Sequence, residues 1–177
     1  MNGWAHHLII APILVPLLAA AVLLFIDERQ RVAKAMVSLT SVVILVCVSF
    51  VLFRIESGPS DFEGVYLLGN WEAPFGIVLV LDGLSAMMLL LTALVALASL
   101  VYSMARWHTV GAHFHTMFQL LLMGVDGAFL TGDLFNLFVF FEVMLAASYG
   151  LLLHGSGPLR VKAGLHYIAV NLAAALL

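Results

Sequence analysis

Glu142 is an acidic residue inside an apolar stretch, Leu134–Leu145, whose other members are almost all aliphatic or aromatic. It follows Asp133 by nine residues, about 13 Å along a helix, which places its carboxyl near the centre of a bilayer. A charge at that depth costs about 2.5–3.5 kcal/mol on insertion scales. A carboxyl with a movable cationic partner would gain and lose a proton there, and we expect Glu142 to relay protons. The alternative is a permanently protonated structural Glu that hydrogen-bonds to a backbone carbonyl.

Asp126 is a second acidic residue in an apolar segment, six residues before Gly132 and therefore about 9 Å from the end of that segment. Its expected depth differs from that of Glu142 by only about 4 Å. One hypothesis is that Asp126 belongs to an outer half-channel that feeds Glu142 through one or two waters. The alternative is an interfacial Asp that is solvated at the outer mouth.

Three further polar residues could extend a proton path toward the cytoplasm. Tyr149 follows Glu142 by about two helical turns, and His154 and His166 lie near the expected cytoplasmic ends of two segments. Histidine is the only side chain whose unperturbed pKa lies near neutrality, so both are candidate steps on the inner side. The alternative for the histidines is anchoring at the membrane interface.

Metal and cofactor chemistry is not expected. The remaining candidate ligands are spaced five and two residues apart rather than as a helical i, i+4 pair: His108, His113 and His115. A single cysteine, Cys47, excludes an internal disulfide and a Cys-ligated cluster. The sequence contains no G-x-G-x-x-G, no Walker A motif and no Ser–His–Asp candidate, so we expect neither a bound nucleotide nor covalent catalysis.

These residues must be positioned by membrane-spanning helices. The chain has 177 residues, of which 64% are hydrophobic and 10% charged, whereas soluble domains are about a quarter charged. Seven basic residues and a net charge of −3 exclude a nucleic-acid footprint. We therefore predict an all-α, polytopic transmembrane helical bundle surrounded by the lipid bilayer.

About six spans are predicted, the sixth cut short, at 8–26, 33–53, 77–104, 114–130, 134–153 and 163–177. The first could instead be a signal peptide, with Ala19–Ala21 as a cleavage signal, but it lacks a basic n-region and carries two prolines. Asp82 to Ser85 is typical of a helix N-cap region. Spans four and five are joined by Thr131–Asp133 alone, which forces an antiparallel pair.

The basic residues predict the orientation. We number each loop by the two predicted spans that it joins. Six of the seven basic residues lie in loops 1–2, 3–4 and 5–6, whereas Arg54 is the only one in the other loops. The positive-inside rule therefore places the N-terminus outside. After Lys162 only about 15 residues remain, too few to span a bilayer. We expect the N-terminal transmembrane part of a longer protein, 1–177, cut inside its sixth helix; the alternative is a short re-entrant end.

The segment 127–155, GAFLTGDLFNLFVFFEVMLAASYGLLLHG, resembles the D subunit of Mrp-type (Pha, Mnh) multisubunit monovalent cation/proton antiporters. Leu81–Ser85 and Lys162–Tyr167 are also similar to that family. The family is itself similar to the antiporter-like membrane subunits of respiratory complex I. The resemblance implies roughly 14 helices with inverted repeats, and a Lys on the seventh helix, beyond this chain, that pairs with Glu142.

The resemblance also implies a function and a location. Protons relayed through Glu142 would drive efflux of Na⁺ or K⁺ across the bacterial inner membrane, with the other antiporter subunits as partners. Such a protein is not an enzyme. One alternative is a proton-pumping membrane component of an NADH:quinone oxidoreductase or a related hydrogenase, and another is a structural scaffold with inert acids. The phrase Gly132–Asn136 before Phe138–Glu142 favours the antiporter.

Overall fold

A computed structural model of the chain describes residues 7–58, 64–71, 76–105, 111–155 and 157–175. The described residues form six helices: α1 (Ala11–Phe25), α2 (Arg31–Glu56), α3 (Gly83–Met104), α4 (Phe114–Leu130), α5 (Leu134–Leu152) and α6 (Pro158–Ala175). Helices α2, α3 and α5 are long and apolar enough to cross a membrane, and α1 and α4 are shorter apolar helices. The predicted all-α class is confirmed.

Two aspartates begin helices in the manner that their sequence context predicts. The Asp82 carboxylate accepts a hydrogen bond from the Ser85 backbone N–H at 2.7 Å, and the Asp133 carboxylate accepts one from the Asn136 backbone N–H at 2.7 Å. An aspartate at the N-cap satisfies a backbone N–H that the helix leaves unpaired. The Ser85 backbone and side-chain hydrogen bonds also lower the pKa of Asp82, because they favour its ionised form.

A small β-hairpin covers one end of the bundle. Strands β1 (Val65–Leu67) and β2 (Val78–Val80) pair antiparallel, with Tyr66 opposite Leu79. The Gly132 N–H donates to the Val78 carbonyl at 2.8 Å, so the hairpin is tied to the turn between α4 and α5. The sequence prediction includes residues 77–82 in the third span, but here β-branched valines form a strand and the helix begins at Gly83.

Helix α4 lies at the centre of the bundle, where it packs against α1 and α5 and also contacts α2 and α3. Two buried apolar clusters fill the interior. The hairpin-side cluster consists of Ile9, Ile13, Leu52, Leu79, Leu81, Ala86, Leu89 and Leu130. The far-side cluster consists of Val42, Leu45, Ala93, Ala96, Leu100, Phe114, Phe118 and Leu122.

A group of three charged or titratable side chains, Glu28, Lys34 and His113, lies at the end of the bundle opposite the hairpin, and we call it the ionic clamp. The Glu28 carboxylate lies 2.5 Å from the buried Lys34 ammonium and 3.0 Å from Nδ1 of His113. Partial burial alone would raise the pKa of Glu28, but the hydrogen bond and charge of Lys34, with the charge of His113, hold it below the ordinary value of 4.5. The clamp therefore links the turn before α2 to the residue that precedes α4.

Replacing Glu28 with Gln should lower the melting temperature of the full-length protein in detergent, because the buried Lys34 would lose its counter-ion. We expect a loss of about 1–2 kcal/mol, less than for a fully buried pair because Glu28 is partly exposed. Since folding depresses the pKa of Glu28, the stabilisation is present above pH 4.5 and is lost as the pH falls through the lowered value. Melting curves of both proteins should therefore converge in acid.

Glu56→Gln, at the opposite end of α2, is the matched control and should leave the melting temperature within experimental error of wild type. Equal melting temperatures for Glu28→Gln and wild type at neutral pH would show that the clamp does not stabilise the fold.

Candidate functional site

Glu142 lies on α5 and is half-buried. Its side chain lines a cleft of about 460 Å³ between α5 and α6. The cleft is mainly apolar, and its other lining residues are Leu134, Leu137, Phe138, Phe141, Met144, Leu145, Asn171 and Ala174. The one other lining residue with a polar side chain is Asn171, so a carboxyl and an amide line the same cleft.

Two tyrosines continue this face of α5 and α6. Tyr149 follows Glu142 by seven residues, which returns a helix to nearly the same side. Its ring meets the ring of Tyr167 edge to face, with centroids 5.6 Å apart. The Asn171 amide donates to the Tyr167 carbonyl oxygen at 3.0 Å. Glu142, Asn171 and the two phenols therefore lie along one interhelical contact.

Asn171 and Tyr167 are site residues that the sequence prediction does not include. A signal is present in the sequence, because the two are four residues apart and so share a face of any helix that contains both. The sequence prediction treats the apolar end of the chain after Lys162 as a truncated span and names only His166 within it as a candidate residue.

The opposite face of α5 packs closely on α4. A Cβ atom on Gly124 would lie 2.8 Å from the Met144 backbone nitrogen, and one on Gly127 would overlap the Phe140 ring. The later glycine of α4 contacts the earlier residue of α5, so the two helices are antiparallel. This confirms the predicted antiparallel pair. Glu142 is two residues from both Phe140 and Met144, or about 200° around the helix, and therefore points away from α4.

Asp126 occupies a different part of the bundle from Glu142. It is completely buried and lies about 200° around α4 from Gly124, so it points away from α5. It shares its face with Gln119, seven residues earlier. The structure does not bring Asp126 into the cleft that Glu142 lines, and the two side chains point to different sides of the α4–α5 pair. A water-mediated link between them stays a prediction. Complete burial also contradicts the alternative of a solvated interfacial aspartate.

Gln119 forms a buried polar layer with α2. Its amide donates to the Ser38 carbonyl and hydroxyl oxygens at 3.1 and 3.0 Å, and its carbonyl oxygen accepts from the Ser41 hydroxyl at 3.1 Å. Both ends of the amide are therefore satisfied. A layer of this kind holds two helices in register and needs no further ligand.

The two candidate histidines lie in contrasting places. His154 is buried beside Phe114, with ring centroids 5.2 Å apart, on the α4 side of α5. His166 is exposed on α6, where its Nδ1 donates to the Lys162 carbonyl oxygen at 3.2 Å. Neither lines the cleft of Glu142. His108 lies outside the described residues.

The cleft holds one carboxyl and one amide, and two phenols lie along the same interhelical contact. All of these groups can donate or accept hydrogen bonds. Within the described ranges, His, Cys, Asp and Glu side chains form no group of three that could hold a metal ion.

Comparison with known proteins identifies relatives over the whole chain. No protein-family model matches. The chain is 64% identical over 180 residues to the D subunit of a probable K⁺/H⁺ antiporter of Rhizobium meliloti, covering 100% of this chain and 33% of that protein. It is 36% identical over 178 residues to the D subunit of an Na⁺/H⁺ antiporter of Alkalihalophilus pseudofirmus, covering 97% of this chain and 35% of that protein.

Solved structures agree with these relatives. A chain in the Mrp complex of a Dietzia species superposes with a TM-score of 0.86 at 32% identity, over 99% of this chain and 33% of that one. A chain of an archaeal membrane-bound sulfane sulfur reductase superposes with a TM-score of 0.82, over 98% of this chain and 35% of that one. Its identity is only 22%, so it shows the fold alone.

The chain spans about one third of the length of the curated relatives that it matches. Its apolar helices and these relatives indicate a multi-pass protein of the bacterial cell membrane. Sequence and fold together show that the chain is similar, over nearly its whole length, to D subunits of K⁺/H⁺ and Na⁺/H⁺ antiporters and to a chain of the solved Mrp complex.

Proposed function

We propose that this chain works within a multisubunit antiporter that exchanges Na⁺ or K⁺ for protons, and that Glu142 relays the protons. The position of Glu142 on the cleft between α5 and α6 is the observation that carries the proposal. An acid in a membrane helix is costly unless it faces a polar or water-filled space. The cleft of about 460 Å³ is large enough to hold water or a polar group beside the carboxyl.

Tyr149 is the next group along the proposed path. It lies on the same face as Glu142, and its contact with Tyr167 puts a second hydroxyl nearby. His166 would receive protons at the inner end of α6, where its ring is exposed. His154 would act from the α4 side of the same end, next to Phe114.

A cationic partner for Glu142 would come from outside this chain. The charged residues of α6 lie in its first turns, whereas the cleft lies near its other end, at Asn171 and Ala174. A positive side chain from a helix seated in the cleft would stabilise the ionised carboxyl and would release it when displaced. Proton uptake at Glu142 would then follow the movement of that charge, with the other antiporter subunits, lipid, and Na⁺ or K⁺ as the partners.

Ion exchange by the full-length complex in everted membrane vesicles tests the proposal. Respiration is used to acidify the vesicles, and a pH-sensitive dye reports the gradient. Adding NaCl or KCl should collapse a large part of the gradient, whereas choline chloride should not. The difference between the salts isolates cation-coupled proton movement from leakage.

A different outcome would support the oxidoreductase alternative. If the complex moves protons only while it reduces a quinone or a sulfur acceptor, and neither Na⁺ nor K⁺ changes the gradient, the antiporter proposal is wrong. Genes for flavin and iron–sulfur subunits beside that of this chain would point the same way.

A further inference from the structure

Asp126 is a buried acid that takes no part in the proposed proton path through Glu142. Its side chain is completely inaccessible, and neither carboxyl oxygen has a hydrogen-bond partner within the residues that the structure describes. An ionised carboxylate in such a place costs far more than a neutral one. A buried polar group without partners is uncommon in native proteins and calls for a specific explanation.

Ser49 on α2 shares this condition. Its hydroxyl is completely buried and likewise makes no hydrogen bond within the described part of the chain. Along their helices, Ser49 and Asp126 both lie between the two apolar clusters, whereas another unsatisfied group, the hydroxyl of Thr116, lies near the start of α4. The adjacent Gln119 layer is different, because both ends of its amide are bonded.

The apolar clusters place Ser49 and Asp126 at one level of the bundle. Asp126 lies four residues after Leu122 of the far-side cluster and four before Leu130 of the hairpin-side cluster. Ser49 lies four residues after Leu45 of the far-side cluster and three before Leu52 of the hairpin-side cluster. Helices α2 and α4 therefore each place one polar side chain in the same layer, between apolar layers above and below.

The charged groups around this layer are distant or face elsewhere. Helices α1 and α3, which pack on α4, contain no charged residue, and the charges of α2 lie in its first and last turns. Glu142, the acid of α5, faces the cleft toward α6. The titratable Cys47 of α2 is exposed. No cation on the described helices that pack against α4 is therefore placed to hold Asp126 in its ionised form.

A bound proton would neutralise Asp126 in this layer. The protonated carboxyl carries no charge, and a neutral acid costs far less to bury than a carboxylate. The Ser49 hydroxyl lies in the same layer but makes no hydrogen bond to the carboxyl, since neither group has a partner within the described residues. We propose that Asp126 is a second site that reversibly binds a proton, separate from Glu142.

The shorter route to solvent lies toward the hairpin. Asp126 is four residues, about 6 Å, from the end of α4 at Leu130, and Leu79 and Leu81 cover that end within the hairpin-side cluster. Proton exchange at Asp126 would therefore follow small movements of the hairpin. It does not require Glu142 or the cleft beside α6.

Infrared spectroscopy of the purified full-length complex tests this site. At neutral pH, wild type should show a protonated carboxyl band that Asp126→Asn removes and Glu142→Gln retains. Raising the pH should abolish the band reversibly, and wild type should release about one more proton per chain than Asp126→Asn over that titration. Ser49→Ala is the matched control in the same layer and should leave the band and its frequency unchanged, because the Ser49 hydroxyl makes no hydrogen bond to Asp126.

Three results would overturn the proposal. A band that persists at every pH marks a permanently neutral structural acid, and the absence of the band at every pH marks a stable carboxylate. A band that responds to NaCl but not to pH marks a cation site instead. If Asp126→Asn does not assemble, the pH dependence of the carboxyl band that remains in Glu142→Gln decides the question alone.

Discussion

Glu142→Gln should reduce Na⁺- or K⁺-dependent proton movement by about 100-fold or more in vesicles that contain the full-length complex. Positioned proton-transfer groups contribute about 10²–10⁴-fold to the reactions that they serve. The Gln amide has nearly the same size as the Glu carboxyl and can form hydrogen bonds, but it cannot take up or release a proton. Exchange should therefore fail while the complex remains intact.

The measurement compares initial rates of dye recovery after addition of NaCl or KCl, at equal amounts of assembled complex as judged by gel filtration. Ser148→Ala is the matched control on the same helix. The Ser148 hydroxyl donates only to the Leu145 carbonyl of its own helix, at 2.7 Å, so its removal should leave exchange near wild type.

Glu142→Asp tests whether the length of the side chain matters in addition to the presence of a carboxyl group. The carboxyl remains but is about one methylene shorter, so partial exchange is expected, between the rates of wild type and Glu142→Gln. If Glu142→Gln exchanges ions as fast as wild type, Glu142 is a structural acid and the proposed relay is wrong, whatever the similarity of the chain to antiporter subunits.

Elements governed by near neighbours in the sequence could be predicted well. The Thr131–Asp133 turn is too short for any arrangement of α4 and α5 except an antiparallel pair, and Asp82 lies where a helix needs an N-cap. The approximate depth of Glu142 likewise follows from counting residues. Each of these conclusions depends on local geometry, which is set by neighbouring residues and not by the rest of the fold.

The direction in which each side chain points could not be predicted in the same way. Depth along a helix follows from residue number, but rotation about the axis depends on which neighbour packs most closely. Gly124 and Gly127 determine that rotation here, because they admit Met144 and Phe140 against the α4 backbone. Asp126 and Glu142 therefore lie at similar expected depths but face different parts of the molecule.

Longer-range contacts could not be predicted from the sequence either. The pairing of Gln119 with Ser38 and Ser41 joins residues about 80 positions apart, and no spacing within either segment identifies its partner. The valines of β2 form a strand because the chain folds back on β1 and on the turn at Gly132. Considered alone, that stretch is equally compatible with the beginning of an apolar helix.

Gly124→Leu should have the second large effect, because it forces α4 and α5 apart. Even a Cβ atom at this position would lie 2.8–3.0 Å from the backbone nitrogen, Cα and Cβ of Met144, and backbone atoms cannot rotate away as a side-chain tip can. Overpacking of a close contact typically costs about 1–3 kcal/mol. We expect Gly124→Leu to reach the upper end of that range, with Gly124→Ala intermediate.

Helix α5 has little else to hold it, since Ala147 is its one buried residue within the part of the chain that the structure describes. Gly83→Ala is the matched control, because a Cβ there would meet nothing within 4 Å. The melting temperature in detergent should fall strongly for Gly124→Leu and stay unchanged for Gly83→Ala. Equal melting temperatures of the two variants would show that the α4–α5 contact does not determine stability.

Because α5 carries Glu142, Gly124→Leu should impair both assembly and exchange, whereas Glu142→Gln should impair exchange alone. That contrast separates the positioning of the carboxyl from the chemistry that it performs.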